Sequence, residues 1–145
     1  MKLEFKHLAP YLPHNIEFLD NGKPETIIGW KDDRIYIDDC HKSGYCRIDE
    51  INTLLLRPLS DLTEEIEVNG EVFVPYDTPV FVRHRMNSLH PKNINIVGMS
   101  YWCVEKLFEW HFDVFRLIDE GLAVEIKNVK LNKEPMCGVG EKNRN

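Results

Sequence analysis

Residues 101–121, YWCVEKLFEWHFDVFRLIDEG, carry the one long periodic pattern in the chain. Val104, Leu107, Phe108, His111, Phe112, Phe115 and Ile118 recur at spacings of three and four, which places them on one face of a helix. Trp110, Val114 and Leu117 widen that face, leaving Glu109, Asp113, Arg116 and Glu120 as a narrow polar strip. Ser100 stands where an N-cap belongs, and Gly121 where a left-handed residue ends a helix. The pattern predicts one long helix. A helix this apolar needs cover on more than one side, from its own chain or from a partner.

Upstream the period changes to two. Ile16 and Phe18 alternate with polar residues before Asn21-Gly22, and an extended run, TIIGW, follows. Ile66 and Val68 alternate before Asn69-Gly70, and Val72 and Val74 after it. Asn-Gly between alternating apolar residues is a two-residue hairpin signal, because both turn positions need positive φ. Arg34-Ile35-Tyr36-Ile37 reads as a third strand of the first meander. The expected class is therefore α+β, an antiparallel sheet of two or more hairpins packed against one long C-terminal helix. Three shorter readings complete it. A short helix is expected at 50–56 with Asp49 as its cap, a short strand within 78–84, and a last strand at 122–126. Arg57 is expected to pair locally with Asp61, a ligand contact being the alternative.

With 145 residues, 43% hydrophobic and 29% charged, the chain is sized for one soluble domain that needs no metal or disulfide staple. That domain is expected over residues 1–133, followed by a disordered tail at 134–145 where apolar anchors run out. No apolar run reaches the roughly 18 residues of a membrane span. The start, MKLEFKHLAPYLP, lacks the apolar core of a secretory signal, so the host cytoplasm is the expected compartment and membrane contact is not. The net charge of −6 is uneven. From Lys127 onward five Lys or Arg face two Glu, a local +3, so residues 1–126 carry −9. Such a body suits phosphate backbones only at a local basic patch.

The chemistry-bearing residues do not assemble into a catalytic pattern. The chain has no Gly-rich phosphate loop, no His-Glu-x-x-His and no Ser-His-Asp cue, so no catalytic residue and no cofactor are assigned. Cys40, His41 and Cys46 are the weak metal candidates, since their spacing is wider than a zinc knuckle and no second pair answers them. On a continuous helix, His111 stands about 100° or more around the axis from Glu109 and Asp113, which separates them as a site. Arg83, Arg85 and Lys92 form the one basic cluster within the body and are the nucleic-acid candidates. Trp102, Trp110, Val114 and Leu117, on the surplus side of the helix, are the partner-binding candidates.

Three stretches taken together, LAPYLPH, LLRPLSDLTEEIEVNGEVFVP and YWCVEKLFEWHFDVFRLIDEGLAVEI, resemble a group of small uncharacterised proteins encoded in prophage and mobile regions of Bacteroidetes genomes. The resemblance covers about half the chain and implies a phage-derived cytoplasmic protein with no assigned activity. The expected role is protein–protein contact or self-association rather than catalysis. Nucleic-acid binding through residues 83–92 is the alternative.

Overall fold

The computed structural model describes residues 2–32, 34–38, 44–51, 53–84, 89–90, 93–94 and 99–130. The N-terminus forms one helical turn, α1 (Phe5–Leu8), running into a 3-10 segment at Ala9–His14. Three strands follow, β1 (Glu17–Asp20), β2 (Lys23–Lys31) and β3 (Arg34–Ile37), then β4 (Gly44–Arg47). A 3-10 turn at Ile48–Glu50 leads to β5 (Leu54–Leu56), and another at Leu59–Thr63 to the hairpin β6 (Ile66–Val68) and β7 (Glu71–Phe73). A turn at Pro75–Asp77 opens α2 (Pro79–His84), followed by the small pair β8 (Leu89–His90) and β9 (Asn93–Ile94). The chain closes with α3 (Tyr101–Glu109), β10 (Ala123–Glu125) and α4 (Ile126–Lys130).

Six strands make the main sheet, in the order β10-β5-β1-β2-β3-β4. The pairs from β5 to β4 are antiparallel, but β10 lies parallel to β5. Asn21 and Gly22, like Asn69 and Gly70, take positive φ at both turn positions, as a hairpin twisted with its strands requires. Leu3, Leu8, Tyr11 and Leu12 from the N-terminus join Ile16, Phe18, Ile27, Ile35 and Leu54 in one core. A second core gathers Leu62, Ile66, Phe81, Cys103, Leu107, Trp110 and Phe112.

The expected long C-terminal helix is not there. α3 has nine residues, and every helix among the described residues is short. Its end is a two-bond helix stop. The Phe112 N–H donates to the Leu107 carbonyl at 2.8 Å, and the His111 N–H to that of Phe108 at 3.1 Å. His111 sits in the left-handed region, at φ 62°, where glycine is usual. That conformation costs about 1–2 kcal/mol. Long-range bonds offset it, because residues 111–113 pair with the end of β5. The Arg57 N–H donates to the His111 carbonyl at 2.8 Å, and the Asp113 N–H to the Arg57 carbonyl at 2.7 Å. Phe112 and Leu117 are fully buried, worth about 1.5–3 kcal/mol each. The Asp113 carboxylate then accepts the N–H groups of Leu117 (2.7 Å) and Ile118 (2.9 Å), starting a turn that Gly121 ends at φ 79°. Helical period survives in the sequence while the chain folds as helix, bridge and turn.

Three further expectations are corrected. Residues 54–56 are a strand rather than part of a helix. All three leucines are buried, and a short run apolar on both faces is ambiguous by period alone. Residues 79–84 are helical, with Pro79 at the first position, where a missing N–H costs nothing. The last strand exists but runs parallel, so the sheet is mixed. The tail at 134–145 lies outside the described residues.

Candidate functional site

The β6–β7 hairpin stands apart from the main sheet and faces the last turn of α3. Its register, Ile66 opposite Phe73 and Val68 opposite Glu71, puts these four side chains on one face. Val72, on the other face, is exposed. A groove of about 700 Å³ opens here, lined by Val68, Glu71 and Phe73 of the hairpin and by Lys106, Glu109 and Trp110 of α3. Asp77, Thr78 and Pro79 close one end. The volume falls within the range of about 300–1,000 Å³ usual for ligand pockets.

The floor is aromatic. Trp110, 7% exposed, lies 5.0 Å from the Phe73 ring and stacks on Phe81 at 6.0 Å. The rim is acidic, with three carboxylates, Glu71, Asp77 and Glu109, against one lysine. Lys106 Nζ binds both Glu109 oxygens, at 3.2 and 3.3 Å, and stands 5.7 Å from the Trp110 ring centre. A second cation at the rim therefore meets Glu71 and Asp77 beside an aromatic face, an arrangement that attracts ammonium and guanidinium groups.

Arg57 sets the width of this groove. Its guanidinium donates to the Trp110 carbonyl at the end of α3 and, at 2.9 Å, to the Glu67 carbonyl in β6. One planar fork thus ties the two walls together. Burial holds the Arg57 pKa below its ordinary value, countered by the charges of Asp61 and Glu17. The expected Arg57–Asp61 pair is replaced. Asp61 meets Lys127 at 3.7 Å, and burial raises its carboxyl pKa while Lys127 opposes the rise.

The groove lining among the described residues holds no histidine or cysteine. Its one hydroxyl, Thr78 Oγ1, donates to the Pro75 carbonyl at 2.7 Å.

The partner-binding candidates do not share a face. Trp102 is exposed on the first turn of α3, near the rings of His84 and Tyr101. Trp110 floors the groove, Val114 packs half-buried on the second core, and Leu117 is fully buried in the first. Arg83 is exposed at the end of α2; Arg85 and Lys92 lie outside the described residues, as do Cys40 and His41. Cys46 is in β4, its thiol pushed up to about 11 by burial and by Glu50 and Asp20, which disfavours the thiolate a metal needs. Among the described residues no cluster of three metal-ligating side chains occurs, and no helix is long and apolar enough to cross a membrane.

His111 meets a backbone partner, Nε2 lying 2.7 Å from the His14 carbonyl. The residues that sequence reasoning passed over are Phe73, Glu71 and Asp77, while Arg57 was given Asp61 as its partner rather than the Trp110 and Glu67 carbonyls. The one available signal was Arg57 itself, a charge directly after three leucines that structure would have to satisfy.

No family model, no curated protein and no solved structure matches this chain.

Proposed function

We propose that this chain is a small, phage-derived binding protein that works through protein–protein contact, taking into its groove a basic segment of a partner. The observation that carries the reading is the groove's combination of surfaces, Trp110 and Phe73 beneath Glu71, Asp77 and Glu109. An apolar side chain of the partner covers the aromatic floor, and a neighbouring Lys or Arg meets the rim. Lys106 is already matched by Glu109 at 3.2 Å, so the remaining charge is negative. Complementary charge of this kind steers association and rejects acidic competitors.

A random-peptide display selection against the full chain tests it. Peptides with Lys or Arg beside a large apolar residue are expected to be enriched. The double variant Glu71→Lys/Asp77→Lys, both at exposed positions, is expected to lose that enrichment. Enrichment of acidic peptides, or the same peptides selected by the double variant, overturns the reading.

A further inference from the structure

The exposed side of β2–β4 holds a second arrangement, independent of the groove. In β3 and β4, Ile35 pairs with Cys46 on the side packed against the core. Alternation therefore turns Arg34, Tyr36, Tyr45 and Arg47 to the opposite face. There Tyr36 stands opposite Tyr45 and Arg34 opposite Arg47. The two tyrosine rings are 6.2 Å apart, and the Arg34 guanidinium lies 4.9 Å from the centre of the Tyr45 ring. Tyr45 is 54% exposed. On the other side of Tyr36 the cross-strand position is Gly29, where an added Cβ would meet nothing within 4 Å. A shelf is thus left beside the Tyr36 ring.

Two arginines directly opposite one another destabilise a strand pair. Arg47 has Asp49 at 3.7 Å from its Nε, an exposed contact of the kind worth little. Other carboxylates beside this face include Asp38, after the end of β3, and Glu50, whose Oε1 accepts the Arg47 N–H at 2.6 Å. Two aromatic faces flanked by paired cations with open space beside them match a chain of planar, anionic units. We propose that this sheet face is a stacking platform for single-stranded nucleic acid. Bases stack on Tyr36 and Tyr45, and phosphates lie against Arg34 and Arg47. Base stacking tolerates any sequence, so the platform is not sequence-reading. The acidic body confines binding to this face and makes it salt-sensitive.

Fluorescence anisotropy with labelled single-stranded oligothymidylate and oligouridylate at low salt is the test, using the full chain. Saturable binding is expected, with a log–log salt slope of about −1.4 for two phosphate contacts. Tyr45→Ala is expected to weaken binding by at least about fivefold. Arg34→Ala is expected to bring the slope to about −0.7. The groove variant Glu71→Lys/Asp77→Lys is expected to leave the slope and the Tyr45 dependence intact. Circular dichroism checks that each variant is folded, and the Arg34 variant, altered at an exposed side chain, serves if Tyr45→Ala is not. Absence of binding up to the solubility limit overturns the proposal. So does binding unchanged in both variants, equal affinity for duplex, or preference for an acidic peptide over the oligonucleotides.

Discussion

The Tyr11 hydroxyl donates to the main-chain carbonyl of Phe112 at 2.5 Å, across 101 residues of chain. The same hydroxyl accepts the Val114 N–H at 3.1 Å. A single buried phenol thus holds the segment that replaces the second half of the expected helix, and stands between the two cores.

Tyr11→Phe is expected to lower stability by about 0.5–1.5 kcal/mol, because the Phe112 carbonyl and the Val114 N–H lose the hydroxyl between them and keep only their 3.0 Å bond to each other. Urea denaturation measures it. Burial raises the Tyr11 pKa above its ordinary 10.0. The folded state therefore holds this proton more tightly than the unfolded state does. Its contribution is complete below pH 10 and declines as the pH rises further. The Phe variant is expected to lose stability less steeply above pH 10.

His111 gives the opposite sign. Burial and the Arg57 charge lower its pKa from 6.5, against the His14 carbonyl that raises it. The unfolded state binds the proton more readily, so stability is present above pH 6.5 and is lost as the pH falls through the folded value. His111→Asn keeps a residue that tolerates positive φ and removes the titration. Its stability is expected to fall less between neutral and mildly acidic pH, as thermal melts across that window would show.

Arg57→Met is expected to cost about 1–3 kcal/mol, chiefly because it leaves the Trp110 carbonyl without its charged donor, while water can replace the donor at the exposed Glu67 carbonyl. Arg57→Lys is expected to recover less than half, because an ammonium cannot span both walls as the planar fork does. Chemical denaturation of the three proteins supplies the comparison.

Cys46, with its thiol pushed up to about 11, is expected to be alkylated slowly at neutral pH. Mass spectrometry of the peptide containing Cys46 is expected to show a rate that climbs up to about pH 11. An inflection near that of a free thiol, at about 8.5, counts against the buried environment.

What the sequence made legible was local. Asn21-Gly22 and Asn69-Gly70 specify their hairpins through the φ angles of two adjacent residues, and no distant partner is involved. The end of α3 was not legible, because it depends on Arg57 and Tyr11, far away in the chain. The 3.6-residue period over 110–118 misled because the bridge and turn bury Phe112 and Leu117 but also Asp113, and leave Phe115 exposed, so the spacing does not follow the burial. Leu54–Leu56 misled for a related reason, since a strand covered on both faces carries no alternation. Trp110 was marked as a binding residue by its type, yet its setting is the groove rather than a broad helical face. Glu71 and Asp77 gave no cue at all. They are ordinary exposed carboxylates until the fold places them across from α3.

The binding claim is tested most directly at Trp110. The variant Trp30→Phe/Trp102→Phe leaves Trp110 as the sole tryptophan, both replaced residues being exposed in the wild-type chain. It is titrated with a short peptide bearing Arg beside Leu and with the same peptide bearing Glu in place of Arg. A saturable change in Trp110 emission is expected with the Arg peptide alone, abolished by adding Glu71→Lys/Asp77→Lys. No change with the Arg peptide, or equal responses to both peptides, would contradict the groove as the binding site.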